Sequence, residues 1–127
     1  MITLTVAEVA ELHEKLIAAT GGSPGIRDIG LLESAVLGCY QSFGDVDLYP
    51  GIIEKAARMA YAVCKNHPFV DGNKRTAVTS MLVMLRLNGM IPLYTQQELI
   101  SLGLGIAGGS IDYEDIVTWL DDHLSKQ

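Results

Sequence analysis

The sequence predicts an all-α fold, a bundle of about six helices, and three observations support this prediction. Apolar residues recur at helical spacing in every long segment. Residues that favour helix N-caps, Thr5, Asp28, Thr95 and Asp112, stand in front of four of these segments. No two segments form a convincing pair of strands. At 127 residues with 49% apolar composition, the chain is expected to form one domain, residues 1–127, with its own core.

The first two helices are bounded by caps and glycines. Thr5 and Glu8 form a capping box that opens the first helix, and glycines 21–22 end it. Asp28 is expected to cap the second helix, which Gly44 ends. The glycine-rich segment between the two helices, GGSPGIRD, is therefore predicted to be a loop.

Prolines bound the third helix, and the fourth helix follows directly. Pro50 suits a first helical turn, and Pro68 ends the third helix at the residue before it. The fourth helix is predicted from near Asn73 to Asn88. The segment MIPLY, residues 90–94, could add one short edge strand, although its proline disfavours this.

Two further helices complete the bundle. Thr95 and Glu98 form a second capping box, which opens a fifth helix that continues to about Ala107. The sequence GGS then interrupts the pattern. Asp112 is expected to cap a sixth helix that continues through Leu124.

Charge and cysteine content narrow the function classes. The net charge of −6 disfavours nucleic acid as the main partner, because phosphate binding needs a basic face. No run approaches the ~20 apolar residues of a membrane span, and the N-terminus has no signal-peptide pattern. Cys39 and Cys64 are expected to be buried thiols in a reducing cytosol, which predicts a cytoplasmic protein.

The densest polar cluster is HPFVDGNKRTA, residues 67–77, at the predicted start of the fourth helix. Gly72 and Asn73 leave the first backbone N–H groups unshielded, and such groups bind phosphate. Lys74 and Arg75 place positive charge where a helix prefers acids, so a bound anion is the expected counterpart.

Two more residues of this cluster suit phosphate chemistry. Beside phosphates, the carboxylate of Asp71 is suited to hold Mg²⁺, and His67 is a suitable general base near neutral pH. Taken singly, each residue has an ordinary interpretation: a helix-end histidine, a turn aspartate and solvated basic residues. No structural need explains their combination within nine residues.

The same stretch resembles the signature of the Fic/Doc superfamily, H-x-F-x-[DE]-x-N-[GK]-R. The segments GGSPGIRDIGLLESAV, EKAARMAYAVCKNHPFVDGNKRTA and LRLNG are similar to the death-on-curing (Doc) branch, and the resemblance covers roughly Leu4 to Asp121. It implies a compact Fic/Doc bundle with the motif loop at the N-terminus of the fourth helix. Adenylylating members have glycine at the position of Lys74 and a second arginine at the position of Val78, so both differences favour Doc.

The resemblance implies a toxin of a toxin–antitoxin pair, a kinase that transfers the ATP γ-phosphate to a threonine of elongation factor Tu. It implies ATP and Mg²⁺ as cofactors. His67 would be the base and Asp71 the metal ligand. The phosphates would be held by Gly72, Asn73, Lys74 and Arg75, and the last two would also stabilise the transferred group. The loop of Pro24, Gly25, Ile26 and Arg27 resembles the flap that aligns the target as an added strand.

Other functions remain open at this point. A nucleotidyl transferase that moves AMP would use the same loop, and an inactive bundle that binds a partner could retain the motif. Arg27 could contact nucleotide or target, or pair with Asp28 or Glu33. The sequence shows no built-in inhibitory segment. Inhibition of the activity is therefore expected from a separate antitoxin whose disordered segment folds on this bundle.

Overall fold

The computed structural model describes residues 1–125. Within this range it contains six α-helices: α1 (Val6–Thr20), α2 (Ile29–Leu37), α3 (Ile52–Asn66), α4 (Asn73–Leu87), α5 (Gln96–Gly108) and α6 (Tyr113–Ser125). The predicted all-α class and helix number are confirmed.

The predicted caps begin four of these helices. In α1 and α5 both halves of the capping box form, with the N-cap threonine and the third-position glutamate bonding to each other's backbone. Asp28 accepts from the backbone N–H of Leu31 at 3.0 Å. Asp112 accepts from the backbone N–H of Asp115 at 2.9 Å. These local bonds explain why the helix starts could be predicted from sequence.

The segment after α2 differs from the prediction. The helix ends at Leu37 rather than Gly44, a short 3₁₀ turn (Gly38–Tyr40) follows, and strands β1 (Ser42–Phe43) and β2 (Val46–Asp47) form a hairpin. The prediction that no strand pair exists is therefore wrong. Gly44 has φ +62° and lies in the hairpin turn, where a positive φ favours glycine.

A buried lysine holds this hairpin against α3. Lys55 is 5% exposed, and its ammonium group donates to Asp47 Oδ2 at 2.8 Å and to the carbonyl of Tyr49. The helix that carries Lys55 is capped by Gly51, so Pro50 precedes the first turn instead of occupying it. The possible edge strand at residues 90–94 is absent from the structure, in which this segment is an irregular connection.

The central helix, α3, packs against α2, α4 and α6. Small residues make this close packing possible, and Ala56, Ala57 and Ala60 are completely buried. Cys39 and Cys64 are buried free thiols, as predicted. No helix within residues 1–125 is long and apolar enough to cross a membrane. The packing of α3 on α4 fixes both ends of the loop that joins them.

Candidate active site

The loop between α3 and α4, residues 67–72, is called the motif loop below. It begins and ends with a residue in the left-handed conformation. His67 has φ 48° and ψ 55°, and Gly72 has φ 77° and ψ 20°. Among the residues described, His67 is the only non-glycine residue with a positive φ. Such strain persists only where the surroundings enforce it, and it is found most often at functional sites.

The loop that precedes α2 holds the first carbonyls of the motif loop. The guanidinium of Arg27 donates from Nε to the carbonyl of His67 at 2.7 Å and from Nη2 to that of Asn66 at 3.0 Å. The backbone N–H groups of Arg27 and Asp28 both donate to the carbonyl of Pro68, at 2.7 and 3.0 Å. Arg27 therefore fixes the backbone of the candidate base, and no ion pair with Asp28 or Glu33 is found in the described part of the chain.

Asn73 holds the middle of the motif loop with its side chain. Its Oδ1 accepts from the backbone N–H of Phe69 and its Nδ2 donates to the carbonyl of Phe69, both at 3.0 Å. The same Nδ2 lies 3.5 Å from Nδ1 of His67. Phe69 itself is buried in the core. The side-chain amide of Asn73 thus orients the loop. Of the donors of Asn73, only the backbone N–H is directed by the helix towards a ligand.

The first turn of α4 offers free hydrogen-bond donors. Within residues 1–125, the N–H groups of Asn73, Lys74 and Arg75 have no acceptor, and the first to be paired is that of Thr76, which donates to Gly72 at 2.9 Å. No side chain caps this helix and no acidic residue lies in its first turn. Unpaired N–H groups and the helix dipole make this turn a site for an anion.

Asp71 stands at the edge of this turn with its carboxylate already oriented. It accepts from the backbone N–H groups of Ser23 at 3.1 Å and Gly72 at 2.8 Å. These bonds, the one from Ser23 above all, lower the pKa of Asp71 below its usual range. A Cβ at Gly22 would lie 2.6 Å from Asp71 Oδ2 and Gly22 has φ +114°, so a larger residue here would be strained and would displace the carboxylate.

Arg75 is held at the C-terminal end of α1. Its guanidinium donates to the hydroxyl of Thr20 and, at 3.2 Å, to the carbonyl of Gly21. Its charge also contributes to the lowered pKa of Asp71. The side chain of Lys74, by contrast, is exposed and has no partner within residues 1–125. Two cations, one fixed and one free, therefore flank the anion-binding turn.

These groups line one cavity of about 340 Å³, a size at the lower end of small-molecule sites. The structure brings together all the predicted catalytic and nucleotide-binding residues: His67, Asp71, Gly72, Asn73, Lys74 and Arg75. No cluster of three or more His, Cys, Asp or Glu side chains able to hold a metal is present among the described residues.

The predicted flap lies beside the cavity and pairs with the motif loop. Ile26 and Phe69 form an isolated antiparallel bridge, and the backbone N–H of Val70 donates to the carbonyl of Gly25 at 3.1 Å. Pro24, Gly25, Ile26 and Arg27 are exposed. The flap is thus a short extended segment fixed to the loop that carries His67.

Several positioning residues could not be recognised from the sequence. Thr20, Gly22 and Ser23 contact Arg75 or Asp71 across some fifty residues of chain. His13 of α1 is buried against the motif loop, whereas in the sequence it had no ligand partner at recognisable spacing. For Gly22 and Ser23 the only sequence signal was the turn-rich composition of residues 21–28, and for Thr20 and His13, which belong to α1, there was none.

Comparisons with known proteins identify the family of this chain. The profile of the Fic/DOC family matches residues 3–85. The chain is 34% identical to "Protein kinase doc" of Escherichia phage P1 over 113 residues, which are 89% of this chain and 88% of that protein. It is 42% identical to "Toxin Doc" of Mycolicibacterium smegmatis over 72 residues, 57% of this chain and 55% of that protein. The predicted resemblance is confirmed: the chain belongs to the Fic/DOC family, on its Doc branch.

Proposed function

We propose that this protein is a Doc-type toxin, a cytoplasmic protein kinase that transfers the γ-phosphate of ATP to a serine or threonine hydroxyl of a translation factor. One observation carries this proposal. The unpaired N–H groups of α4, the cations Lys74 and Arg75, the carboxylate of Asp71 and the imidazole of His67 converge on one cavity. The names of its relatives, a kinase and a toxin, support the same conclusion.

The residues divide the work of phosphoryl transfer between them. His67 accepts the proton of the target hydroxyl on an unprotonated ring nitrogen. The N–H groups at the start of α4 bind phosphate oxygens, and Lys74 and Arg75 stabilise negative charge on the transferred group. When Mg²⁺ is bound, the carboxylate of Asp71 would hold it. The bound ion would neutralise charge on the phosphates.

Position 78 favours the kinase over the nucleotidyl transferase. Val78 is 7% exposed, and its side chain packs beside Gly103 of α5. A Cβ added to Gly103 would lie 3.9 Å from Val78 Cγ1. A Cβ at Gly103 would also lie 3.8 Å from Cβ of Lys74. Val78 is apolar and offers no cation at the position where adenylylating members carry their second arginine, so no charge at this position holds an inner phosphate. We therefore propose that the outer phosphate is the one transferred.

The flap suits a protein target. One edge of the extended segment at Gly25 and Ile26 is paired with the motif loop, and its side chains face solvent. A target segment that adds a strand at this flap would be aligned by backbone hydrogen bonds close to His67. By family resemblance we propose elongation factor Tu as the target. The net charge of −6 does not favour nucleic acid.

An apolar groove beside the cavity suits the antitoxin. The groove between α4 and α5 has a volume of about 340 Å³, with Lys74 and Arg75 at one side and Leu16 in its wall. Ile100 and Leu104 line it and are about half exposed, at 53% and 55%. A disordered antitoxin segment that folds here as a helix would bury these side chains. An acidic residue on that segment would pair with the two cations and block the phosphate site.

Growth arrest in bacteria tests the proposal. Expression of the parent without an antitoxin should stop protein synthesis, and His67→Ala should abolish the arrest because the base is lost. The control is Lys15→Ala, which removes an exposed lysine paired with Glu11 on α1 and should stay toxic. If His67→Ala remains as toxic as the parent at equal expression, the proposed mechanism is wrong.

A further inference from the structure

The histidine of α1 makes two contacts with the motif loop. His13 is 1% exposed, and its ring stacks on that of Phe69 with centroids 3.8 Å apart and an angle of 6° between the planes. Its Nε2 lies 2.8 Å from the carbonyl oxygen of Asp71. Because a carbonyl only accepts, Nε2 must carry the proton and donate. This donation is available from the neutral and the charged ring alike.

The second contact fixes the peptide that joins Asp71 to Gly72. The C=O and N–H groups of a trans peptide point in opposite directions. Since His13 holds the carbonyl towards α1, the N–H of Gly72 points away from α1, where it donates to Asp71 Oδ1 at 2.8 Å. A Cβ at Gly72 would lie 3.1 Å from Ile17 Cδ1 and 3.7 Å from His13 Cδ2, so α1 supports this turn closely.

An apolar core residue at position 13 would not do the same. A phenylalanine could fill the space against Phe69, but it would leave the carbonyl of Asp71 without this donor. The peptide could then rotate, and it carries both the N-cap of α4 and the carboxylate placed for Mg²⁺. The hydrogen bond, rather than the stacking, is thus the contact that sets the direction of the anion-binding groups.

We propose that His13 is a positioning residue of the phosphate site: its Nε2–H holds the Asp71–Gly72 peptide in the orientation that presents the first turn of α4 to the anion. The catalytic consequence rests on the proposed kinase function, whereas the orientation of the peptide does not. No proton or bond is exchanged by His13, so its effect should appear in binding and in loop geometry.

Two variants separate the hydrogen bond from the stacking. His13→Phe keeps an aromatic ring on Phe69 and removes the donor, while His13→Gln keeps an N–H donor near the position of Nε2 and removes the ring. For each, the ¹H–¹⁵N resonance of Gly72 is recorded and Mg-ATP is titrated by calorimetry. We expect His13→Phe to shift the Gly72 resonance and weaken Mg-ATP binding about tenfold, the effect of one ordinary hydrogen bond. His13→Gln should stay within about threefold of the parent.

The outcomes decide between the alternatives. Unchanged Gly72 resonance and affinity in His13→Phe, or equal losses in both variants, would overturn the proposal. If His13→Phe does not fold, the protonation of the His13 ring in the parent is the test. Its Nε2 must carry a proton, and an unprotonated Nε2 overturns the proposal. If the parent binds no Mg-ATP, the kinase function fails, but the Gly72 resonance still tests the role of His13.

Discussion

Lys74 gives the cleanest test of the anion site, because its side chain is exposed and forms no hydrogen bond or ion pair within the described chain. It occupies the second position of α4, at the positive end of the helix dipole. Removing a cation from such a position stabilises a helix by about 0.3–1 kcal/mol. The better helix propensity of alanine adds a few tenths, so Lys74→Ala should gain roughly 0.5–1 kcal/mol.

Thermal unfolding without ligand measures this gain. For a domain of this size we expect the melting temperature to rise by about 2–4 °C. The experiment is run at about 10 mM salt, where the screening length is about 30 Å. The melting temperature of Lys74→Glu should rise further than that of Lys74→Ala. The control is Lys65→Ala in the last turn of α3, where a cation is favourable, so this variant should lose stability.

Mg-ATP should reverse the order of the Lys74 series. At about 100 times its Kd, a ligand stabilises the folded state by about 2.7 kcal/mol, and a tenfold weaker affinity reduces this to about 1.4 kcal/mol. Mg-ATP should therefore raise the melting temperature of the parent the most and that of Lys74→Glu the least. If Lys74→Ala melts below the parent without ligand, or if Mg-ATP raises all three melting temperatures equally, Lys74 does not lie at an anion site.

Two further predictions concern stability. His67→Gly should raise the free energy of unfolding, measured in urea, by about 0.5–1 kcal/mol, because glycine adopts the left-handed conformation without strain. The same variant should lose toxicity. A lower free energy of unfolding would contradict the strain at His67. A hydrogen bond from the backbone N–H of Thr95 and a weaker effect of the hydrogen bond to His123 lower the pKa of Glu98 from 4.5 to about 2. This stabilisation is complete above the unfolded-state pKa and is lost as pH falls through the folded-state pKa. The melting temperature of the parent should therefore fall more steeply between pH 5 and pH 2 than that of Glu98→Gln, and parallel slopes would disprove this role of Glu98.

Much of the fold could be predicted because its signals are local. The capping boxes at Thr5 and Thr95 involve residues three positions apart, so they are visible in the sequence. The cavity was predictable for the same reason, since His67, Asp71 and Arg75 lie within nine residues. A loop followed by a helix start necessarily brings such neighbours together.

The remainder depends on contacts that no local pattern encodes. The hairpin has strands of two residues each, too short to show alternation, and its support from Lys55 is visible only in the folded chain. The bond from His13 to Asp71 spans 58 residues. Asn73 was assigned to the phosphates because it lies in the motif, yet its side chain is occupied by both backbone groups of Phe69.

The central claim is that the motif loop transfers the γ-phosphate of ATP to a protein hydroxyl. The most direct measurement incubates the protein and Mg²⁺ with purified elongation factor Tu or a bacterial lysate, using ATP labelled at either the α- or the γ-phosphate. We expect that γ-label appears on protein, that α-label does not, and that His67→Ala transfers neither label. Transfer of α-label alone would identify a nucleotidyl transferase, and the absence of both labels with a competent target present would leave only a partner-binding bundle; either result would contradict the account.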